Sequence, residues 1–364
     1  MERETQVSGY RDRGREERRM GSEVTLQDVA ERAGLSLATA SRVLNGGKRV
    51  VAAASTARIL QAAEELGYVS NGPAQALARS TTAVVGLIVH EVDDPYFATI
   101  AKGAMRVASA HGLLTTLANT FGDQDLEVDY VQRLQAQRVR ALLLAGSPRL
   151  ADDQQARLNS ALERFIRGGG RVAVVGDHRG PYSAVLPANR RGAAQVARHL
   201  FDLRHRRIGI ISGPAHLTTV HERLTGFTDA WVDLGGTPDD ITVADGDFSR
   251  DGGYSAMIQL VERAPEASAV FALNDLMAIG ALAALHDDLG RDVPGDVSVV
   301  GFDDLWMTVD LRVPLTTVRL PLEAMGTRAM EMLVGADAAV GPQQARMPAD
   351  LVVRASTGPA PVSS

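Results

Sequence analysis

Residues 24–45 read Val-Thr-Leu-Gln-Asp-Val-Ala-Glu-Arg-Ala-Gly-Leu-Ser-Leu-Ala-Thr-Ala-Ser-Arg-Val-Leu-Asn, and no other stretch constrains the fold as tightly. Thr25 is placed to cap a helix from about Leu26 to Ala33, and Gly34 supplies the left-handed residue that ends it. Ser36 falls where the next N-cap belongs, so a second helix over Leu37–Leu44 begins within three residues of the first one's end. Helices joined so tightly cannot lie antiparallel. They must cross, and the small side chain of Ala30 lets them approach. Leu26, Val29, Leu35 and Val43 recur at core spacing, while Thr39, Ser41, Arg42 and Asn45 form a polar face. The pattern predicts a helix-turn-helix whose second helix enters the DNA major groove. The Ala-Xaa3-Gly spacing alone also fits an ordinary helical hairpin. Both caps and both faces together carry the reading.

The chain has 364 residues, which suggests two or three folding units. Net charge is −6 overall, but residues 24–80 carry +2 and residues 81–364 carry −8. A mildly basic head on an acidic body suits a small DNA reader carried by a larger sensor. So small a basic excess makes non-specific affinity weak, and dimerisation matters accordingly. Cys is absent, which excludes disulfides, Cys-ligated zinc and thiol catalysis. No metal and no cofactor are expected. No uninterrupted apolar run reaches the length of a membrane span, and the Arg- and Glu-rich N-terminus lacks the apolar core of a signal peptide. A cytoplasmic protein with no membrane partner is expected.

Residues 1–23 are polar and aperiodic and read as a disordered extension. Residues 24–69 form the head, completed by a third helix from about Ala54 to Leu66. Ile59, Leu60, Ala63 and Leu66 mark its apolar face, Gly67 follows as its C′ residue, and Tyr68 folds back on the core. Residues 70–80 read as a hinge. Its helix-compatible run is too short to be stable alone and orders only against a partner or DNA. From residue 81 to 364, short apolar runs alternate with helical patterns, starting with Val84–Val89. This means parallel sheets covered by helices, and there are too many strands for one compact sheet. An α/β body of two doubly wound lobes is expected, with ligand bound at the carboxyl ends of the strands between them.

Head, hinge and body together resemble the lactose-repressor/galactose-repressor family of bacterial transcription regulators. Several stretches carry the likeness: Ala-Ser-Arg-Val-Leu-Asn (40–45), Glu-Leu-Gly-Tyr (65–68), Asp-Pro-Tyr-Phe (94–97), Ala-Leu-Asn-Asp (272–275), Val-Ser-Val-Val-Gly-Phe-Asp-Asp (297–304) and Pro-Leu-Thr-Thr-Val (314–318). The departures are small. Ala40 stands where the family usually has Val, Ala188 where Asp is frequent before Asn189, and Arg204 where Gly usually precedes His-Arg. The resemblance implies a three-helix helix-turn-helix head, a hinge helix and two lobes of periplasmic-binding-protein type. The chain is expected to cross between lobes three times, near Leu186–Asn189, near Thr316–Thr317 and before a final strand Leu351–Arg354.

By the same match, Leu37, Ala38, Thr39, Ser41 and Arg42 lie on the reading face. Leu37 and Ala38 are apolar and can touch only thymine methyls, so Arg42 is the expected guanine contact, with a phosphate clamp as the alternative. Thr25, Ser36 and Asn45 are expected at phosphates or as caps. Leu77 matches the family's hinge leucine, which wedges into the minor groove. For the effector, Arg223 matches the family's ligand-gripping Arg, whose fork suits vicinal hydroxyls or a carboxylate. Phe248 matches a stacking aromatic, and Asn274 and Asp303 match polar contacts. Phe97 is a candidate ring cover that core packing also explains, and Asp177 is a weaker candidate. Asp275 and Asp304 are read as helix caps beside the site, and His205-Arg206-Arg207 as a surface turn. No Walker loop, metal cluster or nucleophile elbow points to an enzyme. The implied function is a homodimeric or tetrameric repressor of a palindromic double-stranded DNA operator, controlled by a small molecule, most simply a sugar. An activator or dual regulator is the alternative, and a sugar-binding receptor without DNA function a distant one.

Overall fold

The computed structural model describes residues 24–45, 51–69, 82–150, 153–335 and 341–361. The chain divides into two compact units at Thr82, and each is described by itself.

The first unit has three helices, α1 (Leu26–Ala33), α2 (Leu37–Asn45) and α3 (Ala53–Leu66). The two expected left-handed glycines are present, Gly34 at φ 61° and Gly67 at φ 62°. Val29, Ala30, Ala33, Ala40, Ile59, Ala62 and Ala63 form the core, and Leu26, Leu35, Val43, Leu66 and Tyr68 pack on it. Ala40 is fully buried where α2 meets its neighbours, so this core uses the smaller side chain. One assignment fails: Leu60 is 53% exposed. It lies one step around the helix from Ile59, and Ala62 takes the inward position. Residues 1–23 and 70–80, with Leu77, lie outside the described residues.

The second unit has two parallel sheets. The N-terminal lobe comprises β1 (Val84–Val89), α4 (Pro95–Ala110), β2 (Leu114–Asn119), α5 (Gln124–Ala136), β3 (Ala141–Ala145), α6 (Asp153–Arg167), β4 (Arg171–Val175) and β5 (Ser183–Pro187). The chain then builds the second lobe with α7 (Asn189–Asp202), β6 (Ile208–Ser212), α8 (Thr218–Asp233), β7 (Ile241–Asp245), α9 (Arg250–Arg263), β8 (Ala269–Ala272), α10 (Asp275–Asp287) and β9 (Ser298–Val300). After β10 (Thr317–Arg319) it returns to the first lobe as α11 (Leu322–Val334) and β11 (Gln344–Met347), and it ends with β12 (Asp350–Val352). Strand order is β11-β5-β4-β3-β1-β2 in one sheet and β7-β6-β8-β9 in the other, while β10 and β12 pair antiparallel. The three crossings fall at Ala188, just after Arg319 and between Met347 and Asp350, close to their expected places.

One reading is corrected. His205 is fully buried, its ring nitrogens bonded to Ser268 Oγ at 2.8 Å and Gly358 O at 3.0 Å. The segment is therefore not a plain surface turn. Arg204 adopts φ 71°, the left-handed region, which explains why Gly is common there.

Three helix pairs pack on glycines. A Cβ on Gly326 of α11 would fall 1.9 Å from Ile100 O of α4, and one on Gly280 of α10 would fall 1.9 Å from Arg250 O of α9. On α8, a Cβ at Gly226 would fall 2.5 Å from Arg190 O of α7. A helix interior tolerates glycine at a cost, and here backbone contact between helices offsets it. Gly326→Ala should force α4 and α11 apart and destabilise the body by about 1–3 kcal/mol, measured by urea unfolding. An unchanged midpoint would show that the helices can slide apart freely.

Candidate nucleic-acid interface and ligand cleft

On the head, α1 begins with a reciprocal cap. The Asp28 N–H donates to Thr25 Oγ1 at 3.3 Å, and Asp28 Oδ2 accepts from the Thr25 N–H at 2.9 Å. Ser36 caps α2, accepting from the Thr39 N–H at 3.2 Å, and its hydroxyl meets Thr39 Oγ1 at 2.8 Å. Ser41 and Asn45 bond each other at 3.2 Å. Leu37, Ala38 and Arg42 are exposed, and Thr39, Ser41 and Asn45 are half-buried. The sequence reading placed Leu37, Ala38, Thr39, Ser41 and Arg42 on the reading face and Asn45 at a phosphate or cap. The structure divides them into three outward side chains and three engaged in hydrogen bonds within the head.

In the body, Arg223 is the central side chain of the cleft. It lies on α8 and is 2% exposed. Nε donates to Asn189 Oδ1 at 3.1 Å, Nη2 to Asp303 Oδ1 at 2.9 Å, and Nη1 to Leu273 O. The guanidinium carbon stands 3.9 Å from the centre of the Phe302 ring. Burial pushes the Asp303 carboxyl well above its usual range, against the pull of Arg223. Asn274 caps α10, accepting from the Met277 N–H at 2.9 Å, and donates to Phe248 O at 2.9 Å. Phe248 holds φ 70° and lays its ring over Gly213, where a Cβ would come within 2.7 Å of it. Arg223, Asn274, Phe248 and Asp303 are thus gathered at the strand ends of one lobe.

Asp275 and Asp304 are not caps. Asp275 is fully buried and accepts from the Leu305 N–H at 2.7 Å and Thr317 Oγ1 at 2.5 Å. Asp304 accepts from Arg319 Nε at 2.6 Å and pairs with Arg354, so it ties β9 to the crossing strands. Asn274 already caps α10, which leaves Asp275 free for longer contacts.

The facing lobe contributes the start of α4. Asp94 caps this helix through the Tyr96 N–H at 2.8 Å. Burial raises its carboxyl to about 6, with nearby Asp93 and Glu91 adding to the effect. The Tyr96 hydroxyl, raised chiefly by burial, lies within electrostatic reach of Asp303, Arg223, Asp94 and Glu222. Phe97 packs edge-on against Tyr96 at 5.0 Å and also lines an outer groove. Tyr96, rather than Phe97, has its polar end among the charged groups. Asp177 lies apart, in a notch of about 390 Å³ beside His178 and Arg179. His90 and His178 are both depressed to about 4, mainly by burial.

The lobes touch directly at the mouth of the cleft. Thr218 N–H donates to Pro148 O at 2.9 Å, and Leu150 N–H to His216 O at 2.8 Å. Ser147 Oγ donates to Thr219 Oγ1 at 2.8 Å. Asp94, Tyr96, Asn189, Glu222 and this clasp were not assigned from sequence. Asp-Pro-Tyr-Phe was the available signal for the first two. The others become visible only when the lobes are folded together.

Two sequence profiles match: "Bacterial regulatory proteins, lacI family" over residues 25–71, and "Periplasmic binding proteins and sugar binding domain of LacI family" over 82–355. The chain is similar to the HTH-type transcriptional regulator GalR of Escherichia coli K12, 34% identical over 308 residues, 85% of this chain and 88% of GalR. Among solved structures it is similar to a lac repressor dimer bound to operator and the anti-inducer ONPF. That match has a TM-score of 0.81 and 27% identity, covering 93% of this chain and 100% of that one. A transcriptional regulator CelR–cellobiose complex matches with a TM-score of 0.68 and 33% identity, over 92% of this chain and 100% of that one. With head and body both matched, the chain belongs to the LacI family and is a DNA-binding transcriptional regulator controlled by an effector, not an enzyme.

Proposed function

We propose that this regulator is a homodimeric repressor that reads a palindromic operator with α2 and answers to a sugar bound beside Arg223. The observation that carries the reading is the split surface of α2: Ala40 is fully buried, while Leu37, Ala38 and Arg42 face outward. Such a helix is held rigidly by its core and offers one long donor and two apolar contacts to a groove. Arg42 supplies the guanine contact, and Leu37 and Ala38 meet thymine methyls. Thr25, Ser36, Thr39, Ser41 and Asn45 position these residues or bind phosphates. The domain boundaries are those read from the sequence: 1–23 extension, 24–69 head, 70–80 hinge, and 81–364 effector and dimerisation body. Leu77 serves as the minor-groove wedge. Operator binding places the protein in the cytoplasm, at the nucleoid.

A second copy of the chain is the expected partner of the body. The outer face of α4 and β2 leaves Leu114 73% and Met105 44% exposed beside a groove of about 820 Å³. An apolar edge strand next to an apolar helix is a poor surface to leave in water. The lac repressor structure is described as a dimer on operator, and the CelR structure as holding cellobiose. Arg223, Phe248, Asn274 and Asp303 would grip such a ligand through hydroxyls and one ring face, with Phe97 flanking, while Asp177 sits in its separate notch.

In vitro selection from random DNA with the full chain should yield a palindrome, and failure to enrich one would sink the repressor reading. Arg42→Ala should relax preference at one base pair per half-site by about 1–3 kcal/mol. An equal loss on every sequence in the same competition assay would make Arg42 a phosphate contact. Leu77→Ala should reduce operator bending, seen by gel mobility of permuted sites, and leave ligand binding to the body unchanged. Arg223→Ala should lower stability by about 3–5 kcal/mol, because it leaves the Asp303 carboxylate buried and unpaired. Arg223→Met with Asp303→Leu should recover much of that stability while losing response to galactose or cellobiose, whichever releases the wild type from operator. A refolded double variant that still responds would move the effector site elsewhere.

A further inference from the structure

We propose that the cleft takes a ligand with no phosphate or carboxylate at its Arg223 end, an uncharged or amino-bearing sugar, and that Asp94 enforces this choice from the facing lobe. The proposal rests on the cleft being the effector site.

The first observation is how Arg223 is committed. All three of its nitrogens donate to protein oxygens, on Asn189, Leu273 and Asp303, and Phe302 covers one face of the guanidinium. An arginine that holds a phosphate or carboxylate presents two parallel N–H groups to it. Here one of the terminal nitrogens already holds Asp303, and that carboxylate offsets the charge. The fork that the sequence offered to either hydroxyls or a carboxylate is therefore left with spare N–H groups suited to neutral oxygens.

The second observation is the opposite wall. Asp94 uses Oδ1 to cap α4, and Oδ2 accepts no hydrogen bond from the described residues. Its charge is felt by Asp303, and Arg223 in turn acts on Asp94. Glu222 stands alongside, held by Asn189 Nδ2 at 2.8 Å. The Tyr96 hydroxyl lies within reach of all four charged groups, Asp94, Glu222, Asp303 and Arg223. Three carboxyl groups and one guanidinium thus lie within electrostatic reach of the Tyr96 hydroxyl, in a buried setting where an unmatched charge is costly. Hydroxyl or ammonium donors would satisfy these oxygens. An anionic group would add like charge, which disfavours a partner strongly.

Other cations near the strand ends do not reverse the balance. Arg149 donates to Gln154 Oε1 at 2.8 Å beside the lobe–lobe clasp, and its charge acts on Glu127 and His90. His90 and His178, both buried, stay neutral near pH 7.

The test uses the full chain and matched pairs: galactose against galactose 1-phosphate and galacturonate, glucose against glucose 6-phosphate and glucuronate, and cellobiose against cellobionate. Thermal shift and calorimetric titration are read for each. The uncharged member of any binding pair should bind at least about tenfold more tightly. Asp94→Asn keeps a good N-cap, as does Asp94→Ser, and both should narrow that ratio severalfold. An anionic member that binds the wild type as well as its neutral counterpart would overturn the proposal and leave the effector reading intact. An unchanged ratio in both variants would remove Asp94 from the selection. No binding by any pair would remove the sugar-effector reading and this proposal with it.

Discussion

The Arg223–Asp303 ion pair is the interaction on which the body's architecture converges. Both side chains are about 95% or more buried, so each has lost its water. Mutual attraction alone rarely offsets that loss; good geometry and further hydrogen bonds are required. The fold supplies them from four separate places. Asn189 comes from the first crossing between lobes, the Leu273 carbonyl from the end of β8, Phe302 from the end of β9, and Arg223 itself from α8. None of these is near another in sequence. Only the finished arrangement of both sheets and the first crossing makes the pair tolerable, which ties the cleft to correct assembly of the second lobe.

The head solves a different problem with far less material. Its core is mostly alanine, so it gains little from each buried side chain and relies on close backbone approach and caps. Thr25 with Asp28, Ser36 with Thr39, and the left-handed Gly34 and Gly67 fix where the helices begin and end. Because those signals act over three or four residues, they were legible in the sequence, and the predicted ends of α1 match the observed ones. The body's long apolar strands were legible for a similar reason: β1, β3 and β4 are apolar on both faces. Of the strands that escaped notice, β7 and β11 lie at sheet edges, β5 lies inside its sheet between β4 and β11, and β10 pairs only with β12. The patterns of the edge strands are diluted because one side is half-exposed, as in β11, where alternate residues face solvent.

The site was only partly legible, and the failures have one physical cause. Sequence, through the family resemblance, named Arg223, Phe248, Asn274 and Asp303, which the structure gathers at one end of the second lobe. It does not show which polar atoms are already satisfied. Asp275 looked like a helix cap, whereas Asn274 caps α10 and Asp275 reaches across to Thr317. Thr39 and Ser41 were read on the DNA-facing side and Asn45 at a phosphate or as a cap, and all three are bonded within the head. Hydrogen-bond accounting requires both partners, and partners distant in the chain are invisible to a one-dimensional reading.

The neighbouring residues Asp303 and Asp304 give the cleft a route to the rest of the body. Both hold left-handed backbone, φ 119° and 57°, where an Asp is strained by about 1–3 kcal/mol. This conformation turns the two carboxylates to different tasks. Asp303 meets Arg223, while Asp304 meets Arg319 just before the second crossing and Arg354 just after β12. The Asp303 N–H also donates to Val318 O at 2.8 Å, which fixes the dipeptide to β10. At the effector site proposed above, a ligand that drew Asp303 from Arg223 would pull on the segment that holds two of the three crossings. Interfaces packed this tightly switch between discrete arrangements rather than deform smoothly. A ligand shifts that equilibrium only by its difference in affinity for the two arrangements. In that proposal a contact at Asp303 would differ between them as soon as the crossings move, so recognition and lobe movement would share one pair of residues.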